Sequence, residues 1–152
     1  MLTASGSEGF SLEDFMANPP EQMEWVDGRL VEKTGMTPKP PRIQSIMNRY
    51  WGNCATGSGQ GGEVYIELRC RTKEPGRRPD ASYLTAELLQ QFGDAPAWPQ
   101  SPPLIAEIAS PNDSADDFLA KVDEYLESGC EGVWLVFPES RRGLIIPKNQ
   151  SQ

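Results

Sequence analysis

Histidine is absent from all 152 residues. Its absence excludes a Ser-His-Asp or Cys-His nucleophile and the usual imidazole-rich zinc site. Cysteine is sparse: Cys54, Cys70 and Cys130 are odd in number and widely spaced, with no CxxC pair. They read as reduced thiols, not as a zinc site or a disulfide framework. No apolar run is long enough to span a bilayer, so no membrane association is expected. Met1 to Gly9 lacks the basic and apolar regions of a secretory leader, which points to a cytoplasmic protein. An excess of positive charge is missing too. Fourteen Lys and Arg against 22 Asp and Glu leave a net charge of −8, which argues against a simple nucleic-acid-binding module. Any hydrolytic chemistry must therefore come from carboxylates, lysine and a metal ion.

An apolar content of 38% is ordinary for a globular chain. The length suits one domain, read as 11–147 between a frayed 1–10 and a polar tail at 148–152. Ser11 with Asp14 resembles a capping box opening a short helix, which Asn18-Pro19-Pro20 stops. Asp27-Gly28, between Met23–Val26 and Arg29–Glu32, is a strong hairpin signal. Thr34 to Pro41 reads as a loop. Ile43, Ile46, Met47 and Tyr50 follow helical spacing over Arg42 to Asn53. The glycine-rich stretch 57–62 lacks a GKS or GKT ending and reads as a flexible turn.

Glu63 to Arg71 alternates, with Val64, Ile66, Leu68 and Cys70 on the buried face. It is expected to pair as a hairpin with the strand beginning at Pro79. Thr85 caps a short helix to Phe92. Leu104 to Ala109 reads as a buried strand. Ser114 to Glu127 reads as a helix with Ala115, Phe118, Leu119, Val122, Tyr125 and Leu126 on one face. Gly132 to Phe137 is a further strand, so this region forms a right-handed βαβ unit. Leu144 to Ile146 adds a last short strand.

Two acids interrupt this apolar pattern. Asp80 opens the strand Ala81-Ser82-Tyr83-Leu84, and Glu107 lies inside Leu104–Ala109. A buried carboxylate is costly unless a cation meets it, and two that converge suit a hard divalent ion. Asp80 and Glu107 would bind Mg²⁺ or Mn²⁺, aided by a main-chain carbonyl near Ile108. Lys121, at the border of the helix's apolar stripe, can bury its stem and extend its amine toward them. The bland alternative is a structural ion pair of Glu107 with Lys121 or an arginine. Arg69, Arg71, Lys73, Arg77 and Arg78 crowd the sequence before Asp80. They can hold a phosphate backbone, or simply form a solvated hairpin edge that discourages strand addition.

The residues Arg78-Pro79-Asp80-Ala81-Ser82 and Leu104-Ile105-Ala106-Glu107-Ile108-Ala109-Ser110-Pro111 resemble the Uma family of restriction-endonuclease-like proteins, in the PD-(D/E)XK nuclease superfamily. The likeness continues through Lys121, Tyr125 and Gly129 to Val133-Trp134-Leu135-Val136-Phe137-Pro138-Glu139. The hairpin Asp27-Gly28-Arg29-Leu30-Val31-Glu32 is similar to the family's N-terminal signature. The resemblance implies an α/β (α+β) restriction-endonuclease-like fold, a mixed β-sheet flanked by helices, with Asp80 and Glu107 as metal-site acids. The superfamily lysine two residues after the second acid is Ala109 here, and Lys121 stands where the family places its helix lysine. Glu32 is a candidate accessory acid.

Three positions depart from the family pattern. Ile43-Gln44 stands where a histidine is usual, and Phe137 where an acid precedes the late proline. The chain also ends soon after Ile146, where relatives add strands, and a shortened sheet edge would favour a homodimer. The leading expectation is a metal-dependent endonuclease acting on DNA. A catalytically inactive binding or structural module with the nuclease fold, and hydrolysis of a small phosphate ester, are the alternatives.

Overall fold

Asp27 and Gly28 both have positive φ, 51° and 82°, as a type I′ hairpin turn requires. The turn joins β1 (Met23–Val26) to β2 (Arg29–Glu32), with Trp25 opposite Leu30. The structure is a computed structural model that describes residues 9–33, 39–111 and 113–149. Most of the expected frayed end (1–8), the loop segment 34–38 and the tail residues 150–152 lie outside the described residues.

Helix α1 (Leu12–Ala17) opens with the expected capping box: Ser11 Oγ accepts from the Asp14 amide and the Asp14 carboxylate accepts from the Ser11 amide, both at 3.0 Å. The fully buried Phe15 packs on β5 (Gly76–Arg77). A Cβ at Gly76 would overlap the Phe15 ring, so only glycine lets α1 lie this close. The adjoining Arg77 is thereby held beside β1, to which β5 is hydrogen-bonded at Trp25.

Helix α2 runs from Lys39 to Gly57, longer than the expected Arg42–Asn53. Its sheet-facing side also differs from the aliphatic spacing. Met47, Trp51 and Ala55 turn inward, whereas Ile46 and Tyr50 are exposed. Trp51 meets Trp134 edge-on at 5.4 Å between ring centroids, a favourable aromatic geometry.

The expected strand from Glu63 to Arg71 is two strands in two sheets. β3 (Glu63–Ile66) ends at Glu67, whose φ is 55°, and β4 (Cys70–Arg71) begins after the break. The Glu67 carboxylate accepts from Gln44 and Lys33, which holds this left-handed residue in place. Ile66, expected inside, is 51% exposed. β3 pairs antiparallel with β6 (Ala81–Leu84) as expected, while β4 pairs with β5.

After α3 (Ala86–Phe92), capped by Thr85, come β7 (Leu104–Ile108), α4 (Ala115–Glu127), β8 (Gly132–Phe137) and β9 (Arg142–Pro147). The βαβ expectation holds, because β7 and β8 are parallel with Ile105 opposite Val133. The molecule is mixed α/β. A four-stranded sheet, β2-β1-β5-β4, contains the hairpin, and a five-stranded sheet runs β3-β6-β7-β8-β9. Trp98 accepts from the Arg71 amide at 2.7 Å and donates to the Arg69 carbonyl at 2.8 Å beside β4, while its side chain lies in the main core with Ile105 and Val133 of the other sheet.

Phe118, Val122 and Tyr125 of α4 pack into the main core with Ile105, Val133 and Leu135. Leu119, expected on that face, is 49% exposed. Each fully buried aliphatic contributes roughly 1.5–3 kcal/mol. No helix among the described residues is long and apolar enough to cross a membrane.

Candidate active site

The β6–β7 ladder pairs Ala81 with Ala106 and Ser82 with Ile105. One step further along this register, Asp80 stands opposite Glu107. Alternation puts both on the face that carries Ser82, Ile105 and α4. Asp80 Oδ2 accepts from the Ile108 amide at 2.7 Å, which anchors the carboxylate to the neighbouring strand. Glu107 is 3% exposed and accepts from the Tyr125 hydroxyl at 2.6 Å. Burial pushes its carboxyl up to about 8; Asp80 and Glu24 add to this, and Lys121 and Lys33 oppose it.

Lys121 lies one turn before Tyr125 on α4, and its amine reaches to 3.6 Å from Glu24 Oε2. Burial acts to lower its pKa, but Glu107 and Glu24 outweigh that and raise it. Asp80, Glu107 and Lys121 are thus brought to one place, at the seam of the two sheets.

Glu24, Lys33, Gln44 and Glu67 also meet here, and none of them was expected from the sequence as a site residue. Glu24, on β1, is buried. Its Oε1 accepts from the Arg78 amide at 3.0 Å, and its Oε2 accepts from Arg77 Nη1 at 3.1 Å. Burial works to raise its pKa, yet Lys121, Arg77 and Lys33 hold it down at about 2. Lys33 follows β2. Its ammonium lies 2.7 Å from Asp80 Oδ1 and 3.4 Å from Glu67 Oε2, and it also donates to the Arg78 carbonyl. Gln44 Nε2 donates to Glu67 Oε1 at 2.8 Å and to the Asp80 carbonyl at 3.1 Å. Gln44 therefore reaches the site from the region where the resembled family carries its histidine.

Glu32 stands outside the cluster. Strand alternation sets it on the face of Leu30 and Trp25, and it is exposed. Glu24 and Lys33 share the opposite face and occupy the site instead. The hairpin pattern held a signal for this, since Glu24 and Lys33 fall on the side away from the apolar Trp25 and Leu30. Only the packing of α4 shows that this polar side is buried.

The basic run divides. Arg77 grips Glu124 of α4 with two bonds, 2.9 Å from Nε and 2.7 Å from Nη2, besides its bond to Glu24. Arg78 is buried, donates from Nη1 to the Pro20 carbonyl at 3.1 Å, and has Nε 3.6 Å from Glu67. These two side chains, expected at a phosphate, are spent on internal partners. Arg69 buries an Nε that makes no hydrogen bond. Arg71 is half-buried and Lys73 exposed.

Among the described residues, no three His, Cys, Asp or Glu side chains are grouped so as to hold a metal. The donor set on offer is the Asp80–Glu107 pair. That set fits Mg²⁺, which commonly binds through one or two carboxylates and keeps several waters. It is too poor in ligands for an all-protein cage.

Residues 10–152 match a family profile described as "Uma2: Putative restriction endonuclease". Among solved structures, the chain is similar to one described as "a putative nuclease belonging to DUF820 from Anabaena variabilis ATCC 29413". The two share 21% identity and superpose with a TM-score of 0.77 over 93% of this chain and 81% of that one. No curated protein matches the chain.

Proposed function

As the chain belongs to the Uma2 family of restriction-endonuclease-like proteins, we propose that it is a Mg²⁺- or Mn²⁺-dependent endonuclease that hydrolyses phosphodiester bonds in DNA in the cytoplasm. The observation that carries this reading is the convergence of Asp80 and Glu107 on one face of β6 and β7 with Lys121 reaching in from α4. Asp80 and Glu107 would hold the ion. When bound, it supplies Lewis acidity toward the phosphoryl group. The Ile108 amide fixes the direction of Asp80. The Tyr125 hydroxyl holds Glu107. Lys121, kept charged by Glu107 and Glu24, stabilises negative charge that develops on the phosphate. Arg69 and Arg71 remain for the flanking backbone phosphates. The exposed Leu144 and Ile145 on the edge strand β9 support a homodimer formed at that edge.

Nicking of supercoiled plasmid tests the reading. Wild type should nick with Mg²⁺ or Mn²⁺ and not with chelator, and Glu107→Gln and Lys121→Ala should abolish nicking. A second reading, a nuclease fold without turnover, is favoured by one observation: Lys33 already neutralises Asp80, and Lys121 and Arg77 already neutralise Glu24. Metal binding without cleavage of DNA, RNA or small phosphate esters would select it.

A further inference from the structure

The Lys33 ammonium sits in an unusual shell. It has three N–H donors and meets three oxygens: Asp80 Oδ1, Glu67 Oε2 and the Arg78 carbonyl. Two carboxylate oxygens and a main-chain carbonyl are the donors a hard divalent ion takes. The Lys33 side chain is only 17% exposed. Asp80 Oδ2 accepts from the Ile108 amide, so Oδ1, the oxygen on Lys33, is the one without a main-chain hydrogen bond. A divalent ion on that oxygen would set its charge beside an ammonium 2.7 Å away, and two cations in contact repel.

We propose that Lys33 is a tethered cation that occupies the divalent-ion position on Asp80, so that the Lys33–Asp80 ion pair and metal binding exclude one another. The inference rests on the metal-dependent reading above. It makes metal affinity a property set by a residue outside the ligand pair. It also gives the apo protein a filled, charge-balanced site, with Glu67 and Gln44 as the seat that holds the lysine. With the ion pair displaced, the Lys33 amine would be free to meet a phosphate.

Calorimetric titration of the full chain with MnCl₂ alone tests this. Lys33→Met should bind Mn²⁺ at least about tenfold more tightly than wild type. Equal or weaker binding by the variant overturns the inference and leaves the metal reading standing. Absence of Mn²⁺ binding in both proteins overturns the two together. If Lys33→Met does not fold, wild type alone decides, through amine acylation read by mass spectrometry. Lys33 should be protected without Mn²⁺ and several-fold more reactive at saturating Mn²⁺, with the exposed Lys73 as the unchanging reference. Lys33 labelling that is the same with and without saturating Mn²⁺ overturns the inference.

Discussion

The Tyr125 hydroxyl donates a 2.6 Å hydrogen bond to Glu107 Oε1, joining the central helix to the most buried acid of the site. A bond to a carboxylate favours its ionised form. Tyr125→Phe should therefore raise the Glu107 pKa above about 8, seen by carbon NMR of the carboxyl group. It should also cost about 1–3 kcal/mol of stability in urea, because a buried acceptor loses its donor. An unchanged titration would show that the bond does not hold the charge.

Glu107 also gives stability a direction with pH. The folded carboxyl titrates at about 8 against 4.5 for the ordinary side chain. Between those values the folded state keeps a proton that the unfolded chain has released. Its contribution is complete below pH 4.5 and is lost as pH rises through 8. Without added metal, Tm should fall by roughly 3–10 °C from pH 5.5 to 8.5, and Glu107→Gln should flatten that fall. Glu24 acts oppositely, since its stabilisation is present above 4.5 and is lost as pH drops through about 2.

Arg77 ties β1 to α4 through Glu24 and Glu124. Arg77→Ala leaves a buried carboxylate short of its partner and should cost about 3–5 kcal/mol, measured as a lower urea midpoint. Adding Glu24→Gln should recover part of that loss, because the remaining group carries no charge. Strict additivity of the two changes would mean that the pair is not coupled.

Ser82 offers the opposite sign. Its hydroxyl is buried between Asp80 and Leu84 along β6 and makes no hydrogen bond. Ser82→Ala removes an unsatisfied polar group at nearly constant volume and should be neutral or stabilise by up to about 1 kcal/mol. A clear loss of stability would reveal a partner for the hydroxyl.

Local chemistry made much of the fold legible. The Ser11 capping box, the Asp27-Gly28 turn, the Thr85 cap and the parallel β7–α4–β8 unit depend on neighbours in sequence or on simple periodicity, and each formed as expected. The strand from Glu63 to Arg71 looked continuous because alternation says nothing of a left-handed residue at Glu67. The aliphatic stripe of α2 misled because Trp51 and Ala55 bury where Ile46 and Tyr50 do not. In the site, Asp80, Glu107 and Lys121 stood out as charges within apolar patterns. Glu24 and Lys33 did not, since they lie on the polar side of a hairpin and are enclosed only by elements distant in sequence. For the same reason Arg77 and Arg78 looked like an exposed basic edge.

The turn at Glu67 has a bearing on how the chain assembles. The segment Glu67–Arg69 feeds one sheet from its start and the other from its end, and the Lys33–Asp80 ion pair ties the same two sheets across their seam. The two halves should therefore melt as one cooperative unit rather than in sequence.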